Sequence, residues 1–161
     1  MQQTLASIVA VLGTCLGSYL AYLFTRRTAE RTTIENRREK RRQEFAEAVA
    51  DFASKAALLR RAEFNRGKKR INNEAREEAR DEVQRLRADT RAAYYVMRLY
   101  ADPVTDQDFC RQAKDVMTLS RRISACPDTE DDMRDLERAA EAAVEQLIDA
   151  ASTRLRSGMK P

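Results

Sequence analysis

The sequence predicts an all-α protein: an N-terminal transmembrane helix followed by an antiparallel bundle of about four helices. Three observations predict it. Leu5 to Phe24 is an uncharged apolar run. Beyond it, apolar residues recur at alternating spacings of 4 and 3, the period of an amphipathic helix, and no segment alternates with the period of a half-buried strand. Gly (4) and Pro (3) are scarce while charged residues reach 35%, a bias of long helices.

Residues 1–25 form the anchor. The run LASIVAVLGTCLGSYLAYLF covers about 30 Å as a helix, the hydrocarbon thickness of a bilayer. Tyr19, Tyr22 and Phe24 gather at its C-terminal end as an interfacial aromatic belt, and Arg26 and Arg27 follow at once. A cleaved signal peptide would carry positive charge before the apolar run and small residues after it. Met1-Gln2-Gln3-Thr4 has no charged side chain, and the run ends in bulky residues. The positive-inside rule then puts residues 26 onward on the cytoplasmic face of the cell membrane, with the N-terminus outside. Ala6, Ala10, Gly13, Gly17 and Ala21 share one face of the span. Such a small-residue stripe lets two helices approach closely, so a homodimer is one expectation; small residues are also common in any membrane helix.

Residues 26–42 form a basic juxtamembrane helix. Arg26, Arg27, Arg31, Arg37, Arg38, Lys40, Arg41 and Arg42 face only three glutamates, a net of +5, which leaves −1 for residues 43–161. Bases beside a membrane attract anionic headgroups at about 1 kcal/mol each, so the bilayer is the expected partner. The same residues also read as a solvated face, with Glu35 and Arg38 paired one turn apart. The membrane crowds access to this collar, which disfavours nucleic acid as the partner.

Residues 43–157 form the bundle and 158–161 a tail. Phe45, Val49, Phe52, Ala56 and Leu59 make the first seam, widened by Ala48 and Leu58. Gly67 reads as the C-terminal stop of that helix, and Asn72 or Asn73 as the cap of the next. Glu74, Glu77 and Glu78 suit a helix start. Ala79, Val83, Leu86, Thr90, Ala93, Met97 and Tyr100 form the second seam, broadened by Tyr94, Val96 and Leu99, and Asp102-Pro103 ends it. Thr105 and Asp108 read as a capping box for a third helix carrying Phe109, Ala113, Val116, Ser120 and Ile123. Thr129 caps the fourth, whose face is Met133, Leu136, Ala140, Val144, Leu147, Ala151 and Leu155. Short turns favour antiparallel neighbours. The seams suit an intrachain core or a coiled coil between chains. The anchor and the first bundle helix read either as one continuous helix or as two joined near Thr25–Thr33.

The chemistry-bearing residue types are absent or scattered. The chain has no His, and its glycines, at 13, 17, 67 and 158, form no phosphate loop. Cys15, Cys110 and Cys126 show no metal-ligand spacing and read as free thiols. Asp128, Glu130, Asp131 and Asp132 suit a helix N-terminus better than a cation site. No enzyme, cofactor or metal is expected.

The opening carries a resemblance. Met1-Gln2-Gln3-Thr4, Val9-Ala10-Val11-Leu12-Gly13-Thr14, Leu16-Gly17-Ser18, Tyr22-Leu23-Phe24 and Arg26-Arg27-Thr28-Ala29-Glu30-Arg31 resemble a family of small membrane-anchored actinobacterial proteins. Some members are similar to KilB, a membrane-associated protein tied to the spread of conjugative plasmids through the mycelium. The excess of Arg (24) over Lys (6) fits a high-GC genome. The resemblance implies a membrane location and a role in plasmid spread, and no catalytic residue. The expected function is a membrane-tethered helical scaffold with an unidentified protein partner. The alternatives are a growth-inhibiting or holin-like effector acting through anchor oligomerisation, and a membrane-bound DNA-binding protein.

Overall fold

The computed structural model describes residues 2–102, 105–125 and 129–157, with side chains from Glu35 onward. Four helices account for nearly all of them: α1 (Gln2–Ile71), α2 (Glu77–Leu99), α3 (Gln107–Ala125) and α4 (Glu130–Ser157), with no strand among the described residues. The chain divides into two compact units, Met1–Arg41 and Arg42–Pro161.

In the first unit the backbone is helical from Gln2. The expected anchor, its stripe of Ala6, Ala10, Gly13, Gly17 and Ala21, the bases Arg26, Arg27 and Arg31, and Cys15 lie outside the described side chains. No helix among the described residues is long and apolar enough to cross a membrane. Of the remaining collar bases, Arg37, Arg38, Lys40 and Arg41 are exposed and Arg42 is half-buried.

The second unit is a four-helix bundle, up-down-up-down. Phe45 at its start stacks obliquely on Phe109 at the start of α3, with ring centroids 5.5 Å apart, and lies 4.1 Å beneath Arg154 at the end of α4. At the other end Gly67 of α1 meets Ile123 late in α3 and Met133 early in α4. Hence α3 runs parallel to α1, and α4 runs antiparallel to it. Glu63 of α1 pairs with Arg87, in the first half of α2, so α2 is antiparallel as well. The seams meet within one chain: Phe45, Val49, Phe52, Ala56, Ala93, Tyr94, Met97, Phe109, Ala113, Val116, Leu147 and Ala151 belong to one buried cluster. Leu59, Ala62, Val83 and Leu86 form a second, between α1 and α2. The polar seam positions are satisfied by the preceding turn. Thr90 donates to the Leu86 carbonyl at 2.7 Å and Ser120 to that of Val116 at 2.8 Å.

Several boundaries differ from the sequence expectation. Gly67 does not end α1, which continues to Ile71 with Gly67 buried inside it. A Cβ there would stand 2.7 Å from the flexible Met133 sulfur and 3.3 Å from the Ile123 carbonyl oxygen, so the glycine serves a close approach of helices, not a turn. The left-handed residue that ends α1 is Asn73, with φ 55°. The Asn73 N–H donates to the Arg70 carbonyl (3.3 Å) and the Glu74 N–H to that of Lys69 (2.9 Å), the pair of bonds of a Schellman motif. Asn72 and Asn73 therefore close α1 and do not cap α2, whose N-cap position is Arg76. Glu74 stays in the turn.

Leu58, Val96 and Leu99, read as widening the core faces, are exposed, Leu99 by 83%. They project away from the seams their neighbours form. Tyr100 is exposed at the rim. The turn into α3 is pinned by aspartates: the Asp106 carboxylate accepts from the Asp102 N–H (2.6 Å) and that of Asp102 from the Thr105 N–H (2.9 Å). Thr129 behaves as expected, accepting from the Asp132 N–H at 3.2 Å while its hydroxyl donates to the Asp132 carboxylate at 2.7 Å. Cys110 is a free thiol and half-buried, and Cys126 lies outside the described residues.

Candidate anion-binding cleft

A carboxylate organises the end of the bundle where α1, α2 and α3 meet. Glu63 lies on the inner face of α1 and is fully buried. Burying an unpaired carboxylate would cost several kcal/mol, about 3–5 when a partner is removed. The fold surrounds it with donors. Arg87 of α2 places Nε 2.6 Å and a terminal nitrogen 2.5 Å from one carboxylate oxygen. The Ser124 hydroxyl of α3 donates to the other oxygen, and Arg66, one turn along α1, stands 3.8 Å away.

Above this buried pair opens a cleft of about 430 Å³, lined by Arg66, Arg70, Arg76, Arg80, Gln84, Arg87 and Ser124. Helical spacing explains the convergence. Arg66 and Arg70 are one turn apart on α1. Arg76, Arg80, Gln84 and Arg87 recur at 4, 4 and 3 along one side of α2. Arg70 also donates to the Ala125 carbonyl at 3.2 Å, tying the end of α1 to that of α3. Among the described residues, no ion pair engages Arg76 or Arg80.

Three acids of the same region, Glu74, Glu78 and Glu82, line a different groove. That groove, about 300 Å³, is walled by Asn65, Lys68, Lys69, Glu74, Glu78, Ala79 and Glu82. Its lysines face carboxylates from the opposite side of α2. The arginine cleft has no acid in its walls, and the one carboxylate beneath it is committed to Arg87, Ser124 and Arg66. Five guanidiniums thus share a concave, partly desolvated site with one buried negative charge. That arrangement suits an anion rich in oxygen acceptors.

The sequence reading placed its basic site in the collar and left this cleft unnoticed. The signal was present as Arg76, Arg80 and Arg87 one or more turns apart, together with a glutamate at a seam-adjacent position, Glu63. Neither stands out in a chain where 35% of residues are charged. Among the described residues, no group of three metal-ligating side chains gathers. Glu130 and Asp131 pair with Arg134, and Asp128 lies outside the described residues. Tyr94 is buried in the core, while Tyr95 is exposed beside it.

Residues 46–155 match the family model described as KilB plasmid transfer protein. The chain belongs to the KilB family. No curated protein and no solved structure matches it. The KilB match falls on the bundle, whereas the resemblance read from the sequence rested on the first 31 residues. The family signature and the packed core therefore occupy the same segment.

Proposed function

We propose that this KilB-family chain is a helical scaffold of plasmid transfer, held at the cytoplasmic face of the cell membrane by residues 5–24. The observation that carries the reading is the coincidence of the family match with the whole bundle, from its second turn to its last. The family match covers the part of the chain that builds a packed, multi-faced helical surface. Tethering is supported by the length of the uncharged run, its terminal aromatics and the adjoining bases. The exposed Arg37, Arg38, Lys40 and Arg41 suit contact with anionic headgroups. The stripe from Ala6 to Ala21 suits pairing of two copies in the bilayer. The role is binding, not catalysis: a chain without histidine, with its carboxylates spread over solvent faces and salt bridges, offers no matched acid and base.

The test compares a plasmid carrying the intact coding sequence with one whose product lacks residues 5–24. The intact chain should sediment with membranes and resist a salt wash. The shortened chain should be soluble, and plasmid spread should fall to the level seen when the whole chain is deleted. Recovery of the intact chain in the soluble fraction would refute the tether. Undiminished spread from the shortened chain would refute its role in transfer.

A further inference from the structure

We infer that the cleft between α1, α2 and the end of α3 binds a phosphoryl anion, a phosphate monoester or a pyrophosphate group. This goes beyond the scaffold reading and does not depend on the tether. Three features point to it. The walls supply Arg66, Arg70, Arg76, Arg80 and Arg87 with no acid among them, while Glu78 and Glu82 of α2 line another groove. A surface arranged only for solubility would interleave the two signs. The floor is preorganised, because Arg87 is held by a fully buried carboxylate and keeps its geometry without a ligand. The start of α2 opens at the rim with no side-chain cap: Arg76 occupies the N-cap position and makes no capping hydrogen bond. The positive end of the helix dipole adds to the guanidinium field, and the first-turn acids Glu77 and Glu78 lie outside the cleft walls.

The chemistry selects phosphoryl oxygen over a single carboxylate. Each guanidinium is a rigid fork that matches two oxygens, and several forks around one small volume need an acceptor with three or more oxygens and more than one charge. A cleft of about 430 Å³ holds such a group with its immediate substituent. A free nucleotide or a phosphomonoester lipid headgroup would both supply it.

The test titrates the full-length chain with inorganic pyrophosphate at low salt by calorimetry, with thermal unfolding as the second readout. Saturable binding and a pyrophosphate-dependent rise in Tm are expected. The paired substitution Arg76→Lys, Arg80→Lys keeps the charge and removes the forks. It should weaken binding at least about tenfold. Arg134→Ala with Arg138→Ala, on the exposed face of α4, should leave binding unchanged. Both altered residues of the lysine pair are exposed, so native helicity by circular dichroism is expected. Competition by a nucleoside diphosphate would identify a soluble source. Competition by vesicles of phosphatidic acid in phosphatidylcholine, but not of phosphatidylcholine alone, would identify a headgroup. Absence of pyrophosphate binding would overturn the assignment, as would equal affinity of the lysine pair and the unaltered chain. Binding of duplex DNA with no saturable pyrophosphate site would overturn it in favour of a nucleic-acid backbone.

Discussion

At Gly67 a single missing methyl decides how closely helices pack. The residue sits within α1, where alanine would improve helix propensity by about 1 kcal/mol. Its Cβ would enter the space of the Met133 sulfur and crowd the Ile123 carbonyl. Overpacking of a core position costs about 1–3 kcal/mol. Gly67→Ala should therefore destabilise the chain, and denaturant unfolding should show a lower midpoint. Adding Met133→Ala removes the opposing sulfur, so the double variant should lose less than the sum of the two singles. Tyr94 offers a different residue-level test. Its hydroxyl is buried without a full hydrogen bond, and burial pushes its pKa above the usual 10.0, with Cys110 adding to the rise and Arg98 opposing it. The folded state thus holds the phenol proton more tightly than the unfolded state. Stability should be flat below pH 10 as far as this group is concerned, and should fall as pH rises from there through the folded-state value. Tyr94→Phe should abolish that alkaline component while changing stability at neutral pH by no more than about 1 kcal/mol.

Helix ends are where the sequence misled, and the reason is physical. The five seam positions read for α3 are buried as the 4-and-3 spacing requires, namely Phe109, Ala113, Val116, Ser120 and Ile123, while buried Ser124 went unread. Periodicity reports burial of a face, and it did so on all four helices. It does not report which glycine is needed for a turn and which for a close approach, since both leave the same residue in the chain. So Gly67 read as a stop while Asn73 carried the left-handed turn. The anion cleft escaped for a related reason. Its arginines come from separate helices, and only the antiparallel pairing of α1 with α2 brings Arg70 near Arg80. The opposite end of the bundle shows how such pairing is secured. Arg154 of α4 lies 2.8 Å from the Asp106 carboxylate, donates to the Tyr100 carbonyl at 3.0 Å and covers the Phe45 ring. One side chain links α4 to α1 and to the α2–α3 turn. Asp106 is mostly buried, so losing the guanidinium leaves its carboxylate partly unpaired. Arg154→Ala should cost about 1–3 kcal/mol in equilibrium unfolding, while Arg156→Ala, on the exposed face, should cost less than about 0.5 kcal/mol.

For the whole molecule, the question of whether heptad-like seams join helices of one chain or of several has a thermodynamic consequence. In this structure the buried cluster that includes Phe52, Met97, Val116 and Leu147 draws on α1, α2, α3 and α4 of one chain, and the core residues all fall after Arg42. Roughly 120 residues suffice for a single cooperative core without disulfides or metals. Residues 42–161 alone should then fold and unfold in one two-state transition. Because the core is intrachain, the midpoint should not change as protein concentration is raised a hundredfold, since only linked association makes Tm depend on concentration. A coiled coil between chains would instead raise Tm steadily with concentration and dissociate on dilution. Thermal unfolding of the 42–161 fragment at several concentrations separates the two. A concentration-dependent midpoint would show that copies share the core, and any pairing assigned to the Ala6–Ala21 stripe would no longer be needed to bring two chains together.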